Sequence, residues 1–323
     1  MGIKMGLNKI SNYNNTYRSV VCLLIVLFTS NALSAEDKPT GTAPMWSKAG
    51  WSVFTRGGYV HQLDADIDDG GSFSVNRFFI QAGPTYTTDN ATSLSLAVGY
   101  GFDGYSFSGE SGFGGRKPWD DIYSLRLSIP VRWKMSQKWT GFVSPTVRST
   151  GEKGADFNEA ITGGGFAGFS YEFSDRLSIG PGIGVLTQLE DSTQVIPILV
   201  INWKINDTLS LNTGRGIGAT LGPGLTLDWR PSRSWSFSLG GRYESLRFRL
   251  DEDGAVPNGI GDDRAFPIFA GVGYSLTPMI RVSFIGGVEV GGELRLEDKT
   301  GRLITEEAHD PAGFVGFAFS ARF

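Results

Sequence analysis

Hydrophobic and polar residues alternate along most of this chain, from about residue 50 to the C-terminus. In segment 123–133 the odd positions are apolar, and the even positions are Ser, Arg or Pro. The same period of two runs through 235–243 and 280–296. Because successive side chains of a β-strand point to opposite faces, this period predicts strands with one apolar face each. The pattern therefore predicts an all-β chain.

The length and polarity of these segments indicate where the apolar faces point. Several segments are much longer than the five or six residues usual for strands of globular proteins. A tilted strand that crosses a bilayer needs about 9 to 11 residues. The intervening polar positions are mostly Gly, Ser and Thr, with isolated Arg or Glu and few Lys. A polar face of this kind is typical of a lumen, so the segments are predicted to form a transmembrane barrel.

The connections between the segments alternate in length. Short polar turns are predicted near 88–90, 136–138, 174–176, 206–208, 231–233 and 277–278. Longer connections are predicted at 62–73, 104–121, 150–162, 251–264 and 298–312, and two short ones on the same side near 190–193 and 218–220. Short turns on one side and long loops on the other are typical of outer-membrane barrels. The count predicts an antiparallel up-and-down barrel of about 14 strands, or 12 if the glycine-rich segment 209–229 forms no hairpin.

Composition excludes several other classes of protein. Glycine accounts for 45 of 323 residues without the three-residue period of collagen, and it opposes helices. The aromatic content of 12% is too high for a disordered chain. Outside the N-terminal segment, no apolar run approaches the roughly 18 to 20 residues of a transmembrane helix. A helical membrane protein is therefore excluded.

The N-terminus has the pattern of a secretory signal peptide. Residues 1–35 contain basic residues and no acidic ones, then the apolar run 20–28 and a small polar stretch that ends at Ala35. The predicted division is a signal peptide at 1–35, a periplasmic segment at 36–49 and the barrel at 50–323. Removing Lys4, Lys9 and Arg18 changes the formal net charge from −4 to about −7 and also removes Cys22. An acidic, cysteine-free mature chain has no disulfides and is not expected to bind nucleic acid.

The C-terminal residues carry a resemblance to known barrels. The chain ends in AGFVGFAFSARF, in which Phe317, Phe319 and Phe323 share one parity. This ending resembles the assembly signal of Gram-negative outer-membrane β-barrels. The resemblance implies an outer-membrane location, with lipid and lipopolysaccharide around the barrel and with periplasmic chaperones and the barrel-assembly machinery as partners. In a soluble protein, such an apolar strand at an open sheet edge would favour aggregation.

A second resemblance covers the stretch 221–263, which contains GPGLTLDWRPSRSWSFSLGGRYESLRFRLDEDG. It is similar to a family of uncharacterised, porin-like outer-membrane barrels of Gram-negative bacteria. That family has no assigned substrate or catalytic residues. The resemblance therefore implies location and fold only.

The inward parity of the strands predicts a charged lumen. The candidate lumen-lining residues are Arg77, Arg126, Arg132, Arg148, Glu172, Asp228, Arg230, Arg242, Glu244, Arg281, Glu289, Glu293 and Arg295, and the same parity includes Asp103 and Arg322. Such a lumen favours passive, porin-like passage of small hydrophilic solutes. The alternative is a closed structural or surface-binding barrel that acts through its outer loops. Connection 104–121, which is rich in aromatic residues, is expected to fold inward and constrict the lumen.

Candidate enzymatic and metal chemistry is sparse. A barrel hydrolase needs a histidine near its nucleophile, and only His61 and His309 are present; a hydrolase is the minor alternative. The carboxylates of 64–70 resemble a calcium loop, but the closing Glu is replaced by Val75. The glycine strings 163–165 and 214–218 precede no helical pattern, so neither is expected to bind phosphate. The prediction is a non-enzyme with no cofactor and no metal.

Five tryptophans beside short turns predict an aromatic girdle: Trp133, Trp139, Trp203, Trp229 and Trp235.

Overall fold

The structure, a computed structural model, describes residues 49–213 and 224–323. The predicted signal peptide and nearly all of the predicted segment 36–49 lie outside the described residues. The glycine string 214–218 and the connection near 218–220 also lie outside them.

Strands account for most of the described residues. The first nine are β1 (Gly50–Asp66), β2 (Ser72–Thr87), β3 (Ser93–Ser95), β4 (Ala97–Ser108), β5 (Asp121–Ser128), β6 (Val131–Lys134), β7 (Trp139–Glu152), β8 (Ile161–Ser174) and β9 (Leu177–Gln188). The other nine are β10 (Asp191–Lys204), β11 (Leu209–Thr213), β12 (Gly224–Trp229), β13 (Trp235–Arg242), β14 (Glu244–Arg249), β15 (Ile260–Ser275), β16 (Ile280–Glu297), β17 (Leu303–His309) and β18 (Ala312–Arg322). A short helix, α1 (Gly112–Arg116), lies between β4 and β5.

The sheet closes on itself as a barrel with fourteen wall positions. Strand β1 pairs antiparallel with β18, from Phe54 opposite Arg322 to Gln62 opposite Phe314. Four positions are each divided into two strands: β3 with β4, β5 with β6, β13 with β14, and β17 with β18. The break between β5 and β6 contains Pro130, which has no backbone N–H to donate to a ladder. The predicted all-β barrel of 14 strands is confirmed. Because β11 and β12 pair as a hairpin, the alternative of 12 strands is wrong.

The two ends of the barrel differ, as predicted. All six predicted short turns join consecutive strands at one end, here called the short-turn end. At the opposite, long-loop end, every predicted long connection is shorter than expected, since β4 continues to Ser108 and β15 begins at Ile260, and two connections differ most. The connection predicted at 62–73 is only 67–71, because β1 and β2 stay paired with each other as far as Asp66 and Ser72. The connection predicted at 298–312 contains β17, which pairs with β16 and extends the wall.

The outward face of the wall is apolar. Exposed large side chains lie at the outward positions of strands all around the barrel, for example Val98, Val147, Leu239 and Phe284. Four of the five tryptophans predicted for the girdle are also exposed, from 39% for Trp139 to 48% for Trp235, whereas Trp133 is half-buried. The described ranges contain no helix long and apolar enough to cross a bilayer.

Strand β14 leaves the wall at the long-loop end. It continues β13 and stays paired with β15, but it also forms a parallel bridge to β7, where Arg249 lies opposite Gly151. Nine wall positions consequently form a smaller closed ring at this end, here called the outer ring. Its members, in order, are β14, β7, β5, β4, β2, β1, β18 with β17, β16 and β15.

A buried apolar cluster fills the outer ring. Its members are Ala65, Ile67, Phe73, Val75, Tyr105, Phe107, Phe113, Trp119, Ile122, Phe248, Leu250, Leu294, Leu296 and Ala312. The aromatic residues of connection 104–121 pack in it, as expected; the Trp119 ring meets those of Phe107 and Phe113 at 5.6 and 5.3 Å between centroids. This cluster is the main hydrophobic core of the protein, and it obstructs the lumen at the long-loop end.

Candidate functional site

The outer apolar cluster adjoins a buried charged network centred on Arg77. The Arg77 guanidinium donates to Gln62 Oε1 at 2.8 Å, to Asp263 Oδ2 at 2.9 Å and to Glu289 Oε1 at 3.1 Å. Asp103 lies 3.6 Å from Arg77 Nε. The Tyr105 hydroxyl donates to the same Asp263 oxygen at 2.7 Å. One arginine thus joins strands from opposite walls, because β2 and β15 are not neighbours.

Strand β14 is held across the barrel by two more arginines. Arg247 pairs with Glu297 at 2.5 Å and donates to the Leu189 carbonyl at 2.9 Å. Arg249 Nη2 donates to Glu190 Oε1 at 2.7 Å and to the carbonyl of Glu159 at 3.1 Å. These contacts connect β14 to the β9–β10 turn and to the connection after β7. They make β14 a strap across the lumen.

Glu152 links the loops beside this strap. Its carboxylate accepts the backbone N–H groups of Asp120 and Asp251 at 2.8 and 3.0 Å, and burial raises its pKa. At the edge of the same end, hydrogen bonds from Thr300 hold the pKa of Asp298 below its ordinary range. The long-loop end is therefore closed by ordered polar contacts as well as by apolar packing.

Three arginines share one level of the wall inside the barrel. In the strand register, Arg126 of β5 lies directly opposite Arg148 of β7. Arg56 of β1 lies opposite Gln81 of β2, and Gln81 lies opposite Gly99 of β4. Since Gly99 in turn lies opposite Arg126, Arg56 is at the same level. Arg56 Nε donates to Gln81 Oε1 at 2.7 Å, and Arg148 Nε donates to Thr162 Oγ1 at 3.2 Å. We call Arg56, Arg126 and Arg148 the arginine belt.

The arginine belt lines a cavity of about 230 Å³ that extends under the strap. Three apolar side chains from the β8–β10 wall also line it, namely Phe166, Leu186 and Ile196. We call these three residues the apolar wall. The cavity is therefore amphipathic, with guanidinium groups on one side and aliphatic and aromatic groups on another.

A second, more polar cavity of about 150 Å³ lies at the short-turn end. Predicted lumen residues Arg132, Glu172 and Arg230 line it. Nearby in β12, Asp228 accepts a hydrogen bond from Asn212 at 3.1 Å. The inner half of the lumen is consequently polar and contains open space.

The remaining candidate residues of the predicted lumen lie in two groups. Arg242 pairs with Glu244, and Arg281 contacts the Ser275 hydroxyl at 3.4 Å; these lie at inward positions of their strands. Glu293 and Arg295, by contrast, do not lie on the expected face. Strand β16 has one extra residue between Val290 and Glu293 relative to β15.

This β-bulge reverses the parity of β16 beyond Gly291, which has a φ of +60°. Beyond it, Leu294 and Leu296 point into the apolar cluster. Glu293 and Arg295 therefore lie on the opposite face of the strand, where Glu293 pairs with Arg264 at 3.5 Å and Arg295 with Glu306 at 3.1 Å. The prediction that these two residues line the lumen is wrong for this reason.

Several residues of the site were not singled out in the sequence. Arg56 lies at an inward position of β1, so the same parity argument applied to β1 identifies it. Arg247 and Arg249 lie on the face of β14 opposite Phe248. No local pattern reveals their role, because it depends on β14 leaving the wall.

The two histidines and the acidic loop show no catalytic arrangement. His61 Nδ1 contacts Asn76 Oδ1 at 2.9 Å, and His309 Nδ1 contacts the carbonyl of Asp310 at 2.9 Å. Among the described residues, neither imidazole has a serine or carboxylate hydrogen-bond partner. Asp69 accepts the backbone N–H of Phe113 at 2.8 Å, which anchors α1. Within the same described ranges, no group of three or more His, Cys, Asp or Glu side chains is arranged to hold a metal ion.

The C-terminal aromatic residues lie at the closing seam. Phe317 and Phe323 are 47% and 66% exposed, and Phe319 is paired opposite Gly57 of β1. The backbone N–H and C=O of Phe323 both bond to Val53 at 2.8 Å. The terminal residue thus completes the ladder between the first and last strands.

Comparisons with known proteins find similarity in solved structures. No family model and no curated protein matches this sequence, so the resemblance to an uncharacterised barrel family stays a prediction. The chain is similar to the Pseudomonas putida toluene transporter TodX, with 11% identity over 91% of this chain and 94% of that one, and a TM-score of 0.44. It is also similar to a Pseudomonas aeruginosa FadL homologue, with 13% identity over 84% and 88% and a TM-score of 0.43. A KdgM porin in complex with oligogalacturonate has 8% identity over 81% and 97% and a TM-score of 0.32. At these values, nothing about the solute of this chain follows from the similarity.

Proposed function

We propose that this protein is an outer-membrane channel for small hydrophilic solutes, held closed at its long-loop end by the β14 strap. The observation that carries this proposal is the open, arginine-lined cavity beneath the outer ring. Interiors of small barrels can be filled completely by side chains. The outer ring is packed in that way. The lumen below it holds two smaller apolar clusters, around Phe166 and around Phe269, and it also contains open space lined by polar groups.

The membrane location is supported by the outward face of the wall. Exposed apolar side chains surround the barrel, and exposed tryptophans lie beside its short turns. Aromatic girdles at the membrane interface and short periplasmic turns accompany one another in outer-membrane barrels. The proposed orientation places the short-turn end in the periplasm and the long-loop end outside the cell.

Closure of the long-loop end follows from the contacts of the strap. Opening a path requires β14 to move back toward the wall, with loss of the ion pair between Arg249 and Glu190. Glu190 is 43% exposed at its side chain, so this pair is partly accessible to water. It is the strap contact that is most easily weakened without disturbing the apolar cluster.

A closed structural barrel is the second candidate. The observation that favours it is the packing of the outer ring, which resembles a protein core and contains fully buried Phe73, Phe248 and Leu294. Such a barrel would act through its outer loops, and its lumen would conduct nothing.

Planar-bilayer conductance distinguishes the two candidates. Wild-type protein is expected to show rare, brief openings, and Glu190→Gln and Arg249→Gln to show more frequent and longer ones, because each removes a strap contact. Arg302→Gln is the matched control, since Arg302 lies on an exposed loop and is 81% exposed. Silence of the wild type and of both strap variants, all shown to be folded by heat-modifiable gel migration, would support the closed barrel and exclude the channel.

A further inference from the structure

We infer that the arginine belt and the apolar wall form a binding site for a small organic carboxylate. This inference goes beyond the proposed channel, because binding in the cavity does not require the lumen to conduct. It rests on the register of the belt, on the pairing of the nearest described acidic residues with other cations and on the composition of the cavity.

The register places the three arginines of the belt at one level of the wall. The level runs through six opposed positions across consecutive strands: Arg56, Gln81, Gly99, Arg126, Arg148 and Thr162. Gly99 lies between Gln81 and Arg126 and contributes no side chain. A Cβ there would make ordinary contact with Arg126 Cβ at 3.7 Å, so a methyl group would fit beside Arg126 and the glycine leaves that volume unfilled.

Like charges in this arrangement are unfavourable unless something compensates them. Cationic side chains directly opposite each other in an antiparallel ladder destabilise it. Among the described residues, Arg126 forms no hydrogen bond or ion pair with another side chain. Arg56 and Arg148 contact only the neutral Gln81 and Thr162 at hydrogen-bond distance in the described part of the chain.

The acidic residues closest to the cavity already have cationic partners. Asp103 lines the cavity but lies against Arg77. Asp262 interacts electrostatically with Arg148 but lies beyond ion-pair distance from it. The Asp262 carboxylate is instead paired with Arg247 and Arg264. The belt therefore keeps a positive charge that an incoming anion can neutralise.

The chemistry of the cavity selects the type of anion. The planar guanidinium fork matches the two oxygens of a carboxylate. Phe166, Leu186 and Ile196 line the same cavity, and they offer contact to the apolar part of a ligand. An inorganic anion satisfies the arginines alone, whereas a compact organic carboxylate satisfies both sides.

Isothermal titration of the full chain in detergent tests this inference with three probes. Benzoate combines a carboxylate with an apolar body, inorganic phosphate lacks the apolar body, and benzyl alcohol lacks the charge. Benzoate is expected to bind to wild-type protein, and Arg126→Gln to weaken its binding by about tenfold or more, because a charge-assisted hydrogen bond is lost. Arg302→Gln, which removes the same charge from an exposed loop, is expected to bind benzoate like the wild type.

The variants are first shown to be folded by heat-modifiable migration and β-type circular dichroism. Arg126→Gln is expected to pass this check, because Arg126 has no described partner to lose. Absence of benzoate binding to wild-type protein, or equal binding by Arg126→Gln, would overturn the inference. Equal affinity for benzoate and phosphate would also overturn it, since the apolar wall would then have no role. Benzyl alcohol that binds as tightly as benzoate would exclude a role for the arginines.

Discussion

At the scale of single residues, Arg77 shows what a buried charge does inside this barrel. Its side chain is 8% exposed, and the carboxyl groups of Asp103, Asp263 and Glu289 surround it. Taking charges out of water is costly, and the cost is offset only when each charge has well-placed partners. Removing the arginine leaves several buried carboxylates without a cation.

Arg77→Ala is therefore expected to lower the free energy of unfolding by about 3–5 kcal/mol. Urea titration of the barrel folded in lipid vesicles measures this change. The comparison variant is Arg176→Gln, whose partner Asp207 is 91% exposed; loss of such a pair costs at most about 1 kcal/mol. Equal effects of the two substitutions would show that the Arg77 network contributes nothing beyond a surface ion pair.

At the scale of elements, the bulge in β16 determines which residues of that strand face the core. Strands alternate strictly, so one extra residue moves all later side chains to the other face. Gly291 has a φ of +60°, a backbone conformation that other L-residues adopt only with strain. A Cβ at this position would find its nearest neighbour, Phe266 Cδ2, at 3.8 Å. The requirement for glycine is therefore conformational and not one of space.

Gly291→Val is expected to lower the free energy of unfolding by about 1–2 kcal/mol, the cost of the left-handed conformation. Gly286→Ala is the control in the same strand, where a Cβ would make ordinary contact at 3.5 Å with the Phe314 carbonyl. Its effect is expected to remain below about 1 kcal/mol. The same urea titration measures both variants, and a neutral Gly291→Val would contradict the role of the bulge.

At the scale of the whole molecule, the proposed membrane location explains why the outward face is apolar. In water, a surface with so many exposed large apolar side chains would favour association. In a bilayer, the same surface is solvated by acyl chains, and the polar groups are confined to the lumen and the two ends. Exposed apolar residues should therefore differ in their tolerance of charge according to their height on the wall.

Leu239→Arg and Leu303→Arg test that difference. Leu239 is 57% exposed in the middle of β13, whereas Leu303 is 48% exposed in β17 at the long-loop end. Arginine near the bilayer midplane costs about 2–4 kcal/mol and much less near or beyond the interface. Unfolding from lipid vesicles should show a large loss for Leu239→Arg and a small one for Leu303→Arg. Equal small losses would contradict the membrane placement of β13.

Most of the barrel was predictable because its signals are local. Alternation in 123–133 and 235–243 identifies strands and their outward faces, and polar turns such as 136–138 identify the hairpins. Each of these patterns depends on neighbours in the sequence and on the environment of one face. The inward position of Arg126 and Arg148 follows from the same parity. The inward position predicted for Glu293 and Arg295 is wrong, because the bulge in β16 reverses the parity of that strand before it reaches them.

The sequence by itself determined an all-β barrel of about fourteen strands, with twelve as the alternative, and with an apolar outer face and short turns at one end. Only the tertiary structure decided that β14 crosses to β7, that Arg77 joins opposite walls and that three arginines share one level of the cavity. Alternation specifies which face of a strand is polar, because that property repeats every two residues. Contacts across a lumen join residues far apart in sequence, so they depend on wall closure, strand stagger and one extra residue in β16, none of which the periodic pattern records.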